Sequence, residues 1–140
     1  KMGVRCTGAG GFIDITQNAK KVVFLGTFTA GGAKYKFENR KLEILQEGKI
    51  RKMVRQVAQL SFNGPMARKK GQEVMVVTER AVFQLVKDGV ELIEIAPGID
   101  LQTQILDKMD FKPIISKNLR VMDERLFVQD GPFGLKLKEK

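Results

Sequence analysis

Three glycines in four positions, Gly8-Ala9-Gly10-Gly11, precede Phe12-Asn18, which the spacing predicts as a short helix. Such a loop lets backbone amides approach an anion without interference from Cβ, at a helix start whose N–H groups have no intrahelical partner. The dinucleotide fingerprint fails, because Ile13 stands where its third glycine should be, and the phosphate-loop pattern fails because no Gly-Lys-Ser/Thr follows. At this level a tight turn and an anion cradle both fit. The chain has no His, which removes an imidazole base, a Ser-His-Asp triad and His metal ligands. Its single cysteine, Cys6, permits neither an internal disulfide nor a Cys-rich zinc site, and nothing activates it as a nucleophile. Glu79 is read as a surface ion pair or a turn contact, and Glu91 and Glu94 are assigned to solvent. No two carboxylates are set apart by environments that would split their pKa values, and no spacing suggests a metal centre.

The elements that must position these residues are mostly strands. Lys21-Leu25 is β-branched, apolar and bounded by Gly26, which predicts a buried strand. Gly31-Gly32 reads as a turn. Tyr35-Phe37 and Leu42-Ile44 alternate apolar and polar residues around Glu38-Lys41, the pattern of a hairpin with one covered face. Ile50, Met53, Val54 and Val57 fall at helical spacing, yet Val57-Phe62 fits a strand equally, so that segment stays ambiguous. Asn63-Gly64-Pro65 marks a turn. Glu73-Thr78 is a strand, with Val22-Leu25 and Val74-Val77 expected to be buried on both faces. Ala81-Val86 and Glu91-Ile95 form a hairpin across Lys87-Asp88-Gly89. After Pro97-Gly98, Asp100 caps a helix whose apolar face is Leu101, Ile105, Leu106 and Met109. The fold class is therefore α/β: a mixed β-sheet with hairpins and flanking helices, expected as a single domain over residues 1–140.

At 140 residues, 43% hydrophobic and 29% charged, the chain has the composition of one soluble globular domain. The longest stretch relevant to a membrane span, Val22-Ala33, contains three glycines and falls well short of the ~20 apolar residues a spanning helix needs. The charge of +9 favours anionic partners. Its local concentrations, Lys49-Arg55, Arg68-Lys70 and Lys136-Lys140, read as solvated surface with a basic tail. Met2-Gly3 is not a myristoylation start, since Lys1 precedes it. A chain opening on Lys1 is expected to belong to something longer.

Four ordered motifs extend this reading: Gly8-Ala-Gly-Gly-Phe-Ile-Asp14, Ala19-Lys-Lys-Val-Val-Phe24, Thr78-Glu-Arg-Ala-Val-Phe83 and Glu94-Ile-Ala-Pro-Gly-Ile-Asp100. Together with Phe28-Gly32 and Phe111-Ile114, they make the chain resemble the second half of a family I CoA-transferase. The nearest likeness is to single-chain bacterial enzymes that move CoA between acetate, acetoacetate and other short-chain acids. The resemblance covers nearly the whole chain and implies the fold these enzymes share with sugar-phosphate isomerases, present here in part, as a C-terminal fragment.

What the resemblance implies about chemistry is covalent, ping-pong transfer through a glutamyl-CoA thioester, with backbone amides stabilising the oxyanion of each tetrahedral step. Carried onto this chain, Gly11 is the oxyanion donor, and Gly8, Gly10, Gly11 and Phe12 line the loop around coenzyme A, which is a substrate and not a bound cofactor. The family's nucleophilic glutamate lies upstream of the glycine loop, where this chain has no acidic residue. Glu38-Asn39-Arg40 imitates the nucleophile segment, but Arg40 replaces its glycine and the triplet falls at a hairpin tip. The fragment alone is thus expected to be inactive, with its own N-terminal half as partner, in a cytoplasmic homo-oligomer acting on an acyl-CoA and a short-chain carboxylate. Neither nucleic acid nor membrane is implied. The competing reading is a non-catalytic basic α/β domain that binds an anion, a ligand or nucleic acid. For base stacking it offers 9 Phe, 1 Tyr and no Trp, with most Phe in apolar strand contexts.

Overall fold

The computed structural model describes residues 10–57 and 60–128. Its elements in chain order are α1 (Phe12–Asn18), β1 (Lys21–Leu25), β2 (Thr29–Ala30), β3 (Lys34–Glu38), β4 (Lys41–Gln46) and β5 (Ile50–Arg51). There follow α2 (Gly64–Lys69), β6 (Glu73–Val77), β7 (Ala81–Val86), β8 (Gly89–Ile95), α3 (Leu101–Gln104) and β9 (Ile114–Val121), with 3-10 turns at Leu106–Lys108 and Glu124–Phe127. The main sheet has five strands in the order β1-β6-β7-β8-β9. β1 pairs with β6 in parallel, β6, β7 and β8 form an antiparallel meander, and β9 joins β8 in parallel. The α/β class with a mixed sheet and hairpins is as the sequence predicts.

The core lies where the β3–β4 hairpin and the α3 region pack on the meander, around Phe28, Leu42, Val82, Phe83, Leu92, Ile105, Met122 and Phe127. The hairpin turn places Asn39 and Arg40 at φ 51° and 57°, the mirror-image two-residue turn whose twist suits paired strands. Leu42 N–H donates to Pro97 O at 2.9 Å, docking the hairpin on the chain break expected at Pro97-Gly98. Gly98 is required there: its φ is +89°, and a Cβ would lie 2.9 Å from Leu42 O.

Four expectations change. β1 forms as predicted, at the edge of the sheet among the described residues, but only one of its two faces is covered. Val22 is buried, whereas Val23 and Leu25 are 45% and 79% exposed. In β6, one strand further in, Val74 is buried and Met75, Val76 and Val77 are half-buried. The 50–57 segment forms neither a helix nor a long strand. Beyond the β2–β5 pairing, its backbone is tied to the loop after α3 by Asp110 N–H on Met53 O, and by Arg51 and Arg55 reaching the Asp107–Asp110 turn. Its polar groups are satisfied by tertiary contacts instead of by a helix. Asn63-Gly64-Pro65 begins α2 and does not merely turn: Asn63 Oδ1 accepts Met66 N–H at 3.0 Å, and a proline in the first turn loses no helical bond. Asp100 caps α3 as expected through Thr103 N–H at 2.7 Å, but the helix ends at Gln104 and passes into a 3-10 turn that still buries Ile105 and Met109.

Candidate functional site at the carboxyl ends of β1 and β6

In an open α/β sheet, ligands bind beyond the carboxyl ends of parallel strands. β1 and β6 are such a pair: Leu25 lies opposite Val77, and Gly26 N–H donates to Val77 O at 3.1 Å. Helix α1 runs back against β1. Its carboxyl end is held by Gln72, whose side-chain amide donates to Thr16 O and Ala19 O at the start of β6. At its other end the Phe12 ring lies 6.0 Å from Phe24. Gly10 and Gly11 are thereby placed at the carboxyl edge of the sheet.

Within the glycine loop the two residues differ. Gly10 has φ +53°, the left-handed region, so the conformational demand for glycine falls on it. Gly11 is the helix N-cap with φ −72° and ψ −1°, open to any residue, and a Cβ there would meet only Ile15 Cδ1 at 3.6 Å. Gly11 is solvent-exposed, and so is Phe12. Gly8 and Cys6 lie outside the described residues, as does the Lys136–Lys140 tail.

Directly after β6 comes a charge cluster that the sequence reading misses. Arg80 is fully buried. Its Nε donates to Glu79 Oε1 at 2.8 Å, its Nη1 and Nη2 fork onto Glu47 at 2.8 and 2.9 Å, and Nη1 also reaches Gln104 O at 3.1 Å. The guanidinium lies 4.9 Å from the Phe28 ring centroid. Glu79 is therefore no surface residue: its Oε2 accepts Phe28 N–H at 2.8 Å, fixing the turn that leaves β1. Thr29 Oγ1 donates to Glu47 Oε1 at 2.6 Å and accepts Gly48 N–H at 3.1 Å. Burial alone would push the Glu47 carboxyl up, but hydrogen bonds from Arg80 and Thr29 outweigh it and hold it below the usual carboxylate range. Beside the cluster, burial first and then the Glu79 charge raise the Tyr35 hydroxyl above its ordinary pKa. With its donors committed to carboxylates and a carbonyl, Arg80 is the frame of the site and not its anion receptor. A buried Arg was legible in principle, since Glu79-Arg80 stand in a very short link between two apolar strands. Its main partner, Glu47, lies in a distant loop that carries no such signal. Glu94, assigned to solvent, is half-buried and accepts from Arg120 on β9, while Glu91 is half-buried.

The turn after β1 borders a cleft of about 220 Å³ lined by Phe24, Leu25, Gly26, Thr27, Lys52, Met53, Val76 and Thr78. It adjoins the glycine loop through Phe24. A more open basin of about 380 Å³ between Arg55, Met109 and Lys112 shares no lining residue with it. Among the described residues no group of three or more His, Cys, Asp or Glu could hold a metal, and no helix is long and apolar enough to cross a membrane.

No protein-family model matches the chain. Among curated proteins it is 50% identical over 139 residues to acetate CoA-transferase YdiF of Escherichia coli strain K12, covering 99% of this chain and 26% of that protein. Caffeate CoA-transferase of Acetobacterium woodii is 50% identical over 126 residues, which is 90% of this chain and 24% of that protein. Among solved structures, an acyl-CoA transferase (YdiF) of E. coli O157:H7 in a thioester complex with CoA superposes with a TM-score of 0.89 at 52% identity, covering 95% of this chain and 26% of that one. The apoenzyme of the same protein gives a TM-score of 0.90 at 51% identity over 96% of this chain and 26% of that one. The chain spans about a quarter of the length of the relatives it matches. In sequence and fold alike it is homologous to a quarter-length segment of the CoA-transferases, and the resemblance carried by the four motifs holds over almost its whole length.

Proposed function

We propose that this chain is the glycine-loop part of a CoA-transferase, lying C-terminal to the segment that carries the nucleophilic glutamate. Half-identity with YdiF over 139 residues, joined to an exposed Gly11 at the carboxyl edge of the sheet, is the observation that carries the reading. It favours a transferase over a non-catalytic anion or nucleic-acid binder. Further support is that the basic clusters are partly committed elsewhere: Arg51 pairs with Asp110, and Arg68 donates to Lys87 O.

In the proposed cycle the glutamate carboxylate attacks the acyl-CoA carbonyl, and the collapsing tetrahedral intermediate expels CoA thiolate to leave an acyl-glutamyl anhydride. The thiolate attacks the glutamyl carbonyl, forming the thioester and releasing the first acid as carboxylate. A second carboxylate then reverses both steps, so no proton or electron is lost overall. The Gly11 amide stabilises each oxyanion, and Gly8, Gly10 and Phe12 shape the loop around coenzyme A. Relatives named for acids as different as acetate and caffeate are equally similar to this chain, so acid choice is assigned to other parts of the longer enzyme. Short-chain acids, a cytoplasmic homo-oligomer and pairing with an N-terminal half belong to the same reading.

The test is intact-protein mass spectrometry of the full-length polypeptide mixed with acetyl-CoA. The protein should gain the mass of CoA less one water, and lose it when a second carboxylate is added. Transfer activity without that adduct would refute the covalent route, and no transfer with any acid would refute the transferase reading.

A further inference from the structure

The cleft beyond β1 contains one cation whose purpose the fold does not explain. Lys52 lines it, and no salt bridge or hydrogen bond engages its ammonium among the described residues. Its neighbours in sequence are employed: Arg51 is paired with Asp110 and Arg55 donates to Asp110 O. Lys52 turns the other way, toward the strand end. A Cβ on Gly26 would lie 3.0 Å from its Nζ, so glycine at that position leaves the room the ammonium occupies. The opposing walls are Phe24, Leu25, Met53 and Val76, with the Thr27 and Thr78 side chains completing the lining. The nearby carboxylates Glu47 and Glu79 are both taken up by Arg80.

The exposed Lys52 side chain thus places its ammonium beside Gly26, at the carboxyl end of two parallel strands and on the rim of a largely apolar cleft. We infer that Lys52 is the anion contact of this cleft, receiving one oxyanion of a substrate while the apolar walls receive the carbon chain beside it. The inference rests on the transferase reading for the identity of the substrate, not for the existence of the site. A single ammonium matches one carboxylate or one phosphate oxygen group, as a pyrophosphate brings more charge than this lining neutralises. The volume, about 220 Å³, accepts a small organic acid or one arm of a larger thioester. Because it reads charge and not carbon skeleton, such a contact serves acetate and caffeate alike.

The experiment measures binding, not turnover. The full-length protein and its Lys52→Gln and Lys52→Arg variants are titrated calorimetrically with acetate, caffeate, CoA and dephospho-CoA at low ionic strength. Lys52→Gln should raise the Kd of the probe that supplies the anion about tenfold, Lys52→Arg should stay within about threefold, and 0.15 M salt should shrink the gap. Weakening of the two acids identifies a carboxylate subsite. Weakening of CoA with no change for dephospho-CoA identifies the 3′-phosphate, whereas equal weakening of both would place Lys52 on the pyrophosphate and overturn the assignment of a single oxyanion. Unchanged affinity for all four probes, with melting temperature preserved, overturns the inference. Failure of the transferase reading looks different: the mass adduct is absent while the Lys52-dependent anion affinity persists.

Discussion

Replacing Arg80 by Met keeps the buried stem and deletes the charge that two carboxylates face. The side chain of Arg80 is fully buried, and those of Glu47 and Glu79 are 26% and 14% exposed. The variant thus leaves both acids poorly hydrated with no counter-charge. Removing one partner from a buried ionic cluster costs about 3–5 kcal/mol, against near neutrality when all members are replaced together. Urea unfolding of the 140-residue chain should report a loss of that size, and the melting temperature should fall by about 10–15 °C. Adding Glu47→Gln and Glu79→Gln to Arg80→Met should recover most of it, because the amide oxygen introduced at position 79 can still accept the Phe28 N–H. The pH dependence supplies a second reading with a defined sign. In the wild type the Glu47 pKa is depressed, so its contribution is present above the unfolded value of about 4.5 and is lost as pH falls through the folded one. In Arg80→Met burial acts on Glu47 without the guanidinium, its pKa rises, and acidification from pH 7 toward 4 relieves the penalty. The stability gap between the two proteins should therefore narrow on acidification. A loss under about 1 kcal/mol, or a gap independent of pH, would refute the claim that Arg80 is the counter-charge that frames the site.

Three further outcomes are expected. The isolated 140-residue chain should form no acetyl-CoA from acetoacetyl-CoA and acetate above the uncatalysed rate; turnover abolished by Glu38→Gln would place the nucleophile in the hairpin turn after all. In the full-length protein Gly11→Val, which keeps the amide N–H but sets an isopropyl group beside it, should lower kcat by at least about tenfold for several acids alike, with little change in melting temperature because its backbone is in the ordinary helical region. Near-normal kcat would remove Gly11 from the site. Gly98→Ala should cost about 1–3 kcal/mol, read from the urea midpoint, since it combines a positive φ with a Cβ that would lie 2.9 Å from Leu42 O.

Local signals are legible because they are complete within a few residues. The β3–β4 hairpin carries both the two-residue alternation and the turn between, the β7–β8 hairpin carries its two runs and the Lys87-Asp88-Gly89 turn, and α1 is bounded as expected at Phe12 and Asn18. The cap at Asp100 is readable for the same reason. Misreadings arise where the deciding partner is distant. The 50–57 segment, which spacing leaves open between helix and strand, is neither beyond β5, and its side chains are tied to Asp107 and Asp110. Glu79 makes the ion pair with a neighbouring base and the turn contact expected of it, but not at the surface, because its partners are Phe28, 51 residues away, and a buried Arg80. The turn residues at Asn63-Pro65 are also those of a helix start, and only the Asn63–Met66 bond distinguishes the two. Face coverage is illegible altogether: nothing in Val22-Leu25 announces that the Val23 and Leu25 side of the strand is uncovered among the described residues.

The pairing of β1 with β6 also carries a kinetic consequence. Val86 and Gly89 meet across 3 residues, whereas Lys21 meets Glu73 across 52. Closing the longer loop costs roughly 2.5 kcal/mol more in chain entropy, at about 0.6 kcal/mol per doubling of length. The meander can therefore assemble from local contacts while β1 waits for a framework on which to dock. At equilibrium the order reverses, because an edge strand held from one side, with Leu25 largely in water, is the cheapest part of the sheet to release. Amide exchange should thus be slowest in β7 and β8 and faster in β1. The glycine loop, carried just ahead of β1, would then be governed by the docking of this last strand, and whatever seals the outer edge of β1 would set how long the loop stays in place.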